Sequence, residues 1–79
     1  MIKVLFFGPV ADRVGATMMP VEFHEGMRLQ DLYSQMQALY PAAFEIVCFT
    51  AVNGMHTRDM QLVLRDGSEV VFMSKFSGG

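Results

Sequence analysis

Leu29, Leu32, Met36 and Leu39 recur at three- and four-residue steps, with Tyr33 and Tyr40 beside them, and this spacing predicts one amphipathic helix over residues 28–40. Gln30, Gln35, Gln37 and Ala38, all good helix formers, fill its other face. Pro41 stops it, because proline lacks the N–H that a helix interior needs. Gly26 is the available N-cap, and a weak one. In 79 residues there is room for one domain and one core. A single apolar stripe therefore has to pack across one face of a sheet built from the segments on either side.

Those segments read as strands. Residues 2–7, Ile-Lys-Val-Leu-Phe-Phe, start with alternation and end as a continuous apolar run, the pattern of a central strand. Gly8-Pro9 ends it, and Val10 to Val14 make one short helical turn before Gly15. Thr17 to Phe23 places Met19, Val21 and Phe23 on one face, and Pro20 confines it to an edge, paired with the first strand. Ile46 to Val52 reads as a third strand, buried on both sides and closed by Asn53-Gly54. Residues 55–60 have poor strand composition and read as a loop. Leu62-Val63-Leu64 is a short strand before the turn at Asp66-Gly67, and Val70 to Met73 is the last strand.

The order is thus strand, strand, helix, strand, short strand, strand. A right-handed crossover through the helix sets the first and last strands side by side, parallel, at the centre of a mixed sheet. This is an α+β, β-grasp (ubiquitin-like) arrangement of four to five strands with one main helix across one face. Residues 1–73 form the domain, and residues 74–79 form a flexible tail that leaves from the middle of the sheet.

Composition narrows the function. Hydrophobic residues make up 52% of the chain, enough for a folded core with an apolar surface left for a partner. Six basic residues, Lys3, Arg13, Arg28, Arg58, Arg65 and Lys75, are scattered singly in a chain of net charge −2, so no nucleic-acid stripe is expected. No apolar stretch reaches a bilayer span, so no membrane partner is expected either. Cys48 lies in the apolar run Ile46-Val47-Cys48-Phe49 and reads as buried and inert. A single cysteine and no signal peptide fit the cytoplasm. His24 and His56 lack the spaced companions of a metal site, and Gly8-Pro9…Gly15 lacks the lysine of a phosphate loop, so no bound metal or cofactor is expected. Met36 belongs to the helix stripe, while Met18 and Met19 read as core filler or a partner-facing patch. Among Phe7, Phe72 and Phe76, Phe76 alone is assigned to docking, because it lies beyond the last strand.

The chain ends Ser77-Gly78-Gly79. Glycine has no Cβ and can enter channels closed to other residues, while ordering it costs entropy, so folding alone asks for neither glycine. On a tail that leaves a rigid sheet, these residues read as presented to a partner.

Several stretches carry a family likeness. They are Met1 to Phe7, Val10-Ala11-Asp12-Arg13-Val14-Gly15, Ala51-Val52-Asn53, Leu64-x-Asp66-Gly67-x-Glu69-Val70-x-Phe72, and the terminal Ser77-Gly78-Gly79. Together they span the chain, which resembles the small, sulfur-carrying subunit of molybdopterin synthase, within the β-grasp sulfur-carrier proteins. The central helix matches only in pattern. The chain departs where the family carries proline-proline-valine: here Ser74-Lys75-Phe76 gives a looser tail with an added charge.

The resemblance implies a carrier without catalysis of its own. An E1-like adenylating enzyme would use ATP to activate Gly79, and sulfur from a persulfide donor would displace the adenylate to leave a thiocarboxylate. Activation is needed because a terminal carboxylate is anionic at neutral pH and a poor electrophile. Phe76, Ser77 and Gly78 would thread into the large catalytic subunit, where the sulfur helps build the dithiolene of molybdopterin. A carrier for thiamine thiazole, cysteine or a secondary metabolite is the nearest alternative. A ubiquitin-like modifier, with Gly79 joined to a target lysine, and a plain interaction domain stand behind it.

Overall fold

The computed structural model describes residues 1–75 and holds β1 (Ile2–Phe6), α1 (Gly8–Val14), β2 (Met18–Val21), α2 (Leu29–Leu39), α3 (Pro41–Phe44), β3 (Val47–Val52), β4 (Met55–His56) and β5 (Glu69–Ser74). One sheet takes all five strands in the order β2-β1-β5-β3-β4. β1 and β5 are parallel, with Val4 opposite Val70 and Phe6 opposite Phe72, while the remaining pairs are antiparallel. The expected central pair is therefore present, and β2, with Pro20, is an edge.

The core lies between the sheet and α2. Ile2, Val4, Phe6, Val70 and Phe72 from the sheet meet Leu29, Leu32 and Met36 from the helix. Leu39, expected on the helix stripe, is instead 59% exposed, and Tyr40 packs against the core at that level. The stripe advances four residues from Met36 at this point, and Pro41 then redirects the chain into α3. The N-cap is Arg28 rather than Gly26, and its backbone N–H donates to Asp31 Oδ2 at 2.8 Å. A carboxylate in the first turn also suits the positive end of the helix.

α1 is longer at its start than the sequence indicates. Proline costs no hydrogen bond in a first turn, so Gly8-Pro9 opens the helix as well as ending β1. Gly15, at φ +86°, caps its end and donates to the Ala11 carbonyl at 2.8 Å.

Two further readings are corrected. Asn53 and Gly54 both have positive φ, 51° and 84°, which builds a two-residue hairpin of the primed type. Met55 and His56 therefore pair with Val52 and Ala51 as a strand despite their composition. Leu62-Val63-Leu64 is no strand. Val63 forms one bridge to Arg28, while the Leu62 carbonyl and the Leu64 N–H bond the entry of α2 at 2.9 and 2.8 Å. The apolar pair Leu62 and Leu64 packs against the core, which explains the misleading pattern. At the Asp66-Gly67 turn the Met1 ammonium meets the Asp66 carboxylate, and this hydrogen bond and charge hold that carboxyl below its usual value. No helix among the described residues is long and apolar enough to cross a membrane.

Candidate functional site

β5 is the element that carries the chain toward its terminal residues, and it is the middle strand of the sheet, paired with β1 on one side and β3 on the other. Two residues before its end, Phe72 is fully buried in an aromatic cluster. Its ring lies 5.0 Å from Phe44, 6.0 Å from Tyr33 and 6.3 Å from Phe6. Such contacts add to area burial and fix orientation. The strand runs one residue beyond the expected Met73, because Ser74 still pairs with Val47 and is buried. Lys75 is exposed immediately after it. The expected threading residues Phe76, Ser77 and Gly78 and the reacting Gly79 lie outside the described residues.

The end of β5 sits in a cleft lined by Pro9 and Arg13 of α1, Glu45 and Ile46 of the link into β3, and Cys48. Cys48 is exposed, contrary to the buried position expected from its apolar neighbours. The β3–β5 register slips by one residue between Val47 and Phe49, so Cys48 is the extra residue of a bulge. β4 reaches only Ala51 and Val52, which leaves the first half of β3 as an edge.

The sheet has a second face, away from α2. Across it, Met18, Leu5, Val71, Ala51 and His56 fall in one row of paired residues, and Met73 lies opposite Phe49 in the next. Val71 and Ala51, in the middle, are buried, whereas Met18 is 49% and Phe49 42% exposed. The ring of His56 closes edge-on against Phe49 at 6.2 Å. Phe7, just beyond β1 at the tail end of the sheet, is 45% exposed. Lys3 and Glu69 pair at 3.9 Å at the opposite end.

The sequence led to an apolar surface for a partner, with Met18 as one candidate, but did not assign Phe7 or Phe49 to it. Phe7 and Phe72 were both expected in the core, and only Phe72 is there. The available signal was the continuous apolar run in β3 and β5. With one helix to cover one face, a strand apolar on both sides must present its second face to something else.

The comparisons with known proteins agree with this architecture. The chain is 32% identical over 81 aligned residues to a molybdopterin synthase sulfur carrier subunit from Chlamydomonas reinhardtii, covering 99% of this chain and 98% of that one. A Pyrococcus furiosus protein, provisionally assigned as molybdopterin converting factor subunit 1, has the same fold at a TM-score of 0.82 and 24% identity, covering 92% and 94% of the two chains. So does small archaeal modifier protein 1 from Methanosarcina acetivorans, at 0.80 and 22%, covering 99% and 95%. A subunit in the complex of molybdopterin-converting factor subunits 1 and 2 from Helicobacter pylori matches at 0.70 and 22%, covering 99% and 97%. The sequence profile of the ThiS family matches residues 4–79. The chain thus belongs to the ThiS family.

Proposed function

We propose that the protein is a sulfur carrier for molybdopterin formation, the small subunit of a molybdopterin synthase. The observation that carries this reading is the end-to-end similarity to a molybdopterin synthase sulfur carrier subunit. The fold supports it, since the strand that precedes the terminal residues lies at the centre of the sheet, next to a partly exposed apolar face. An E1-like enzyme adenylates the Gly79 carboxylate with ATP, and pyrophosphate leaves. The terminal sulfur of a persulfide donor then displaces AMP to give an acyl disulfide. A second thiol cleaves its S–S bond, leaving Gly79 as a thiocarboxylate and the two thiols joined as a disulfide. The carrier itself binds no cofactor in this scheme.

The open sheet face docks on the large catalytic subunit, and Phe76, Ser77, Gly78 and Gly79 enter its active site. Met18, Phe49 and Phe7 supply exposed apolar area for that contact. Gly78 lets the backbone pass where any side chain would clash. The reading sets the protein in the cytoplasm, where its lone Cys48 stays reduced.

The test is the intact mass after incubation with an adenylating enzyme, ATP and a persulfide source. The expected gain is the difference between sulfur and oxygen, and it disappears when Gly79 is deleted. The charged carrier then delivers sulfur to the pterin precursor on the large subunit. Because the fold is shared with an archaeal modifier protein, a second reading joins the activated Gly79 to a target lysine. Isopeptide-linked products without any thiocarboxylate would favour that reading and overturn the first.

A further inference from the structure

Arg13 lies in the last turn of α1, and its guanidinium reaches across to the other short helix. Nη1 donates to the Ala42 carbonyl of α3 at 2.8 Å and stands 3.8 Å from the Glu45 carboxylate. α1 also packs on β5, and Arg13 and Glu45 line one cleft together with Ser74 and Lys75. The end of β5 therefore lies beside α1, a helix of seven residues, and the link that follows α3, a helix of four. Helices of this length do not hold themselves in place. Val10 and Phe44 root them in the core below, and Arg13 ties them together at the surface.

We propose that Arg13 is a positioning residue for sulfur delivery, clamping α1 to α3 so that the chain leaves β5 in one direction. This rests on the sulfur-carrier reading, and it gives Arg13 no contact with the reacting atoms. The ion pair is exposed, so its contribution to stability is small. Its effect is on the order already present at the root of the tail before docking. A partner must supply whatever ordering the free carrier lacks, and that cost falls equally on the bound complex and its transition state. Loosening the clamp therefore raises the carrier concentration needed for half-maximal transfer and leaves the limiting rate alone. Lysine keeps the charge and a donor for Ala42, so it restores much of the function.

The experiment compares the full-length wild type with Arg13→Ala, Arg13→Lys and Lys3→Ala. The last removes the exposed Lys3–Glu69 pair at the far end of β5. Hydrogen exchange on the free proteins reads the clamp directly, and thiocarboxylated carrier titrated against the large synthase subunit reads its consequence. Arg13→Ala is expected to speed exchange across residues 41–46 and 73–75, with β1 unchanged. It should also raise the half-saturating concentration about tenfold, the equivalent of refreezing one backbone residue. Arg13→Lys should recover most of both effects, and Lys3→Ala should show neither. Unchanged exchange in Arg13→Ala, or an equal rise in Lys3→Ala, overturns the clamp. A fall in limiting rate alone also overturns it. If the wild type delivers no sulfur, the carrier reading falls, while the exchange measurement still decides whether Arg13 holds the exit.

Discussion

Val70 and Phe72 face one side of β5 and Val71 and Met73 the other, and all four are apolar, yet the two faces have different fates. The first pair is sealed beneath α2 in the core, with Phe72 touching three other rings. The second pair lies in two adjacent rows of the other face, Val71 in the row from Met18 to His56 and Met73 opposite Phe49. Equal hydrophobicity therefore does not mean equal duty. Burial inside the domain stabilises the fold, while on the other side Val71 is covered by its neighbours and the exposed apolar area at Met18 and Phe49 remains available for association.

The largest expected effect breaks the covered side. Phe72→Ala removes a fully buried ring and should cost about 3–5 kcal/mol in urea denaturation, much of what a small domain has. A cost below roughly 1 kcal/mol would mean that the two faces are energetically alike. Gly78→Ala comes next. It should leave denaturation untouched yet cut sulfur transfer by about 100-fold, the scale of a small misplacement at a reacting centre. Normal transfer would contradict the threading argument.

Phe49→Ala sharpens the contrast from the open side. Its stability should stay within about 0.5 kcal/mol of wild type, because the ring is already partly in water. Affinity for the large subunit should fall by about 2 kcal/mol, the size of a central interface residue. The reverse result, lost stability with unchanged affinity, would move Phe49 into the structural class. The smallest effect is at Asp66, on neither face. Its folded carboxyl sits below its unfolded value, so the contribution is present above the unfolded pKa and fades as pH falls through the folded one. Asp66→Asn should lose that slight acid dependence in thermal melts taken across the acidic range, and leave binding unchanged.

Much of this contrast was legible before any coordinates. The period of Leu29, Leu32 and Met36 and the apolar runs at residues 2–7 and 70–73 identify the helix and the central parallel pair, because those patterns follow directly from what each element buries. Asn53-Gly54 called for a tight hairpin, but the composition of residues 55–60 argued against a strand. Two paired residues proved sufficient, and propensity has little weight over so short a strand. Leu62 and Leu64 misled in the opposite way, since burial against a helix entry and burial in a sheet leave the same apolar trace. Cys48 was misplaced because β3 is not buried on both sides: its first half is an edge that β4 does not reach, and Cys48 is the extra residue of a bulge there. The chemistry assigned to Gly79 rests on resemblance, since a backbone carboxylate has no side-chain pattern to read.

The parallel pairing of β1 with β5 has a consequence in time as well as in space. β1 pairs with β5, which comes more than sixty residues later, so the sheet cannot close until β5 has been synthesised. During translation β1 and β2 can meet, but the strand that separates them from β3 is still missing. A chain cut short before β5 keeps its apolar segments exposed and becomes a substrate for aggregation or degradation. Completion of folding therefore certifies that translation has passed through the last strand, only a few residues before the glycine pair.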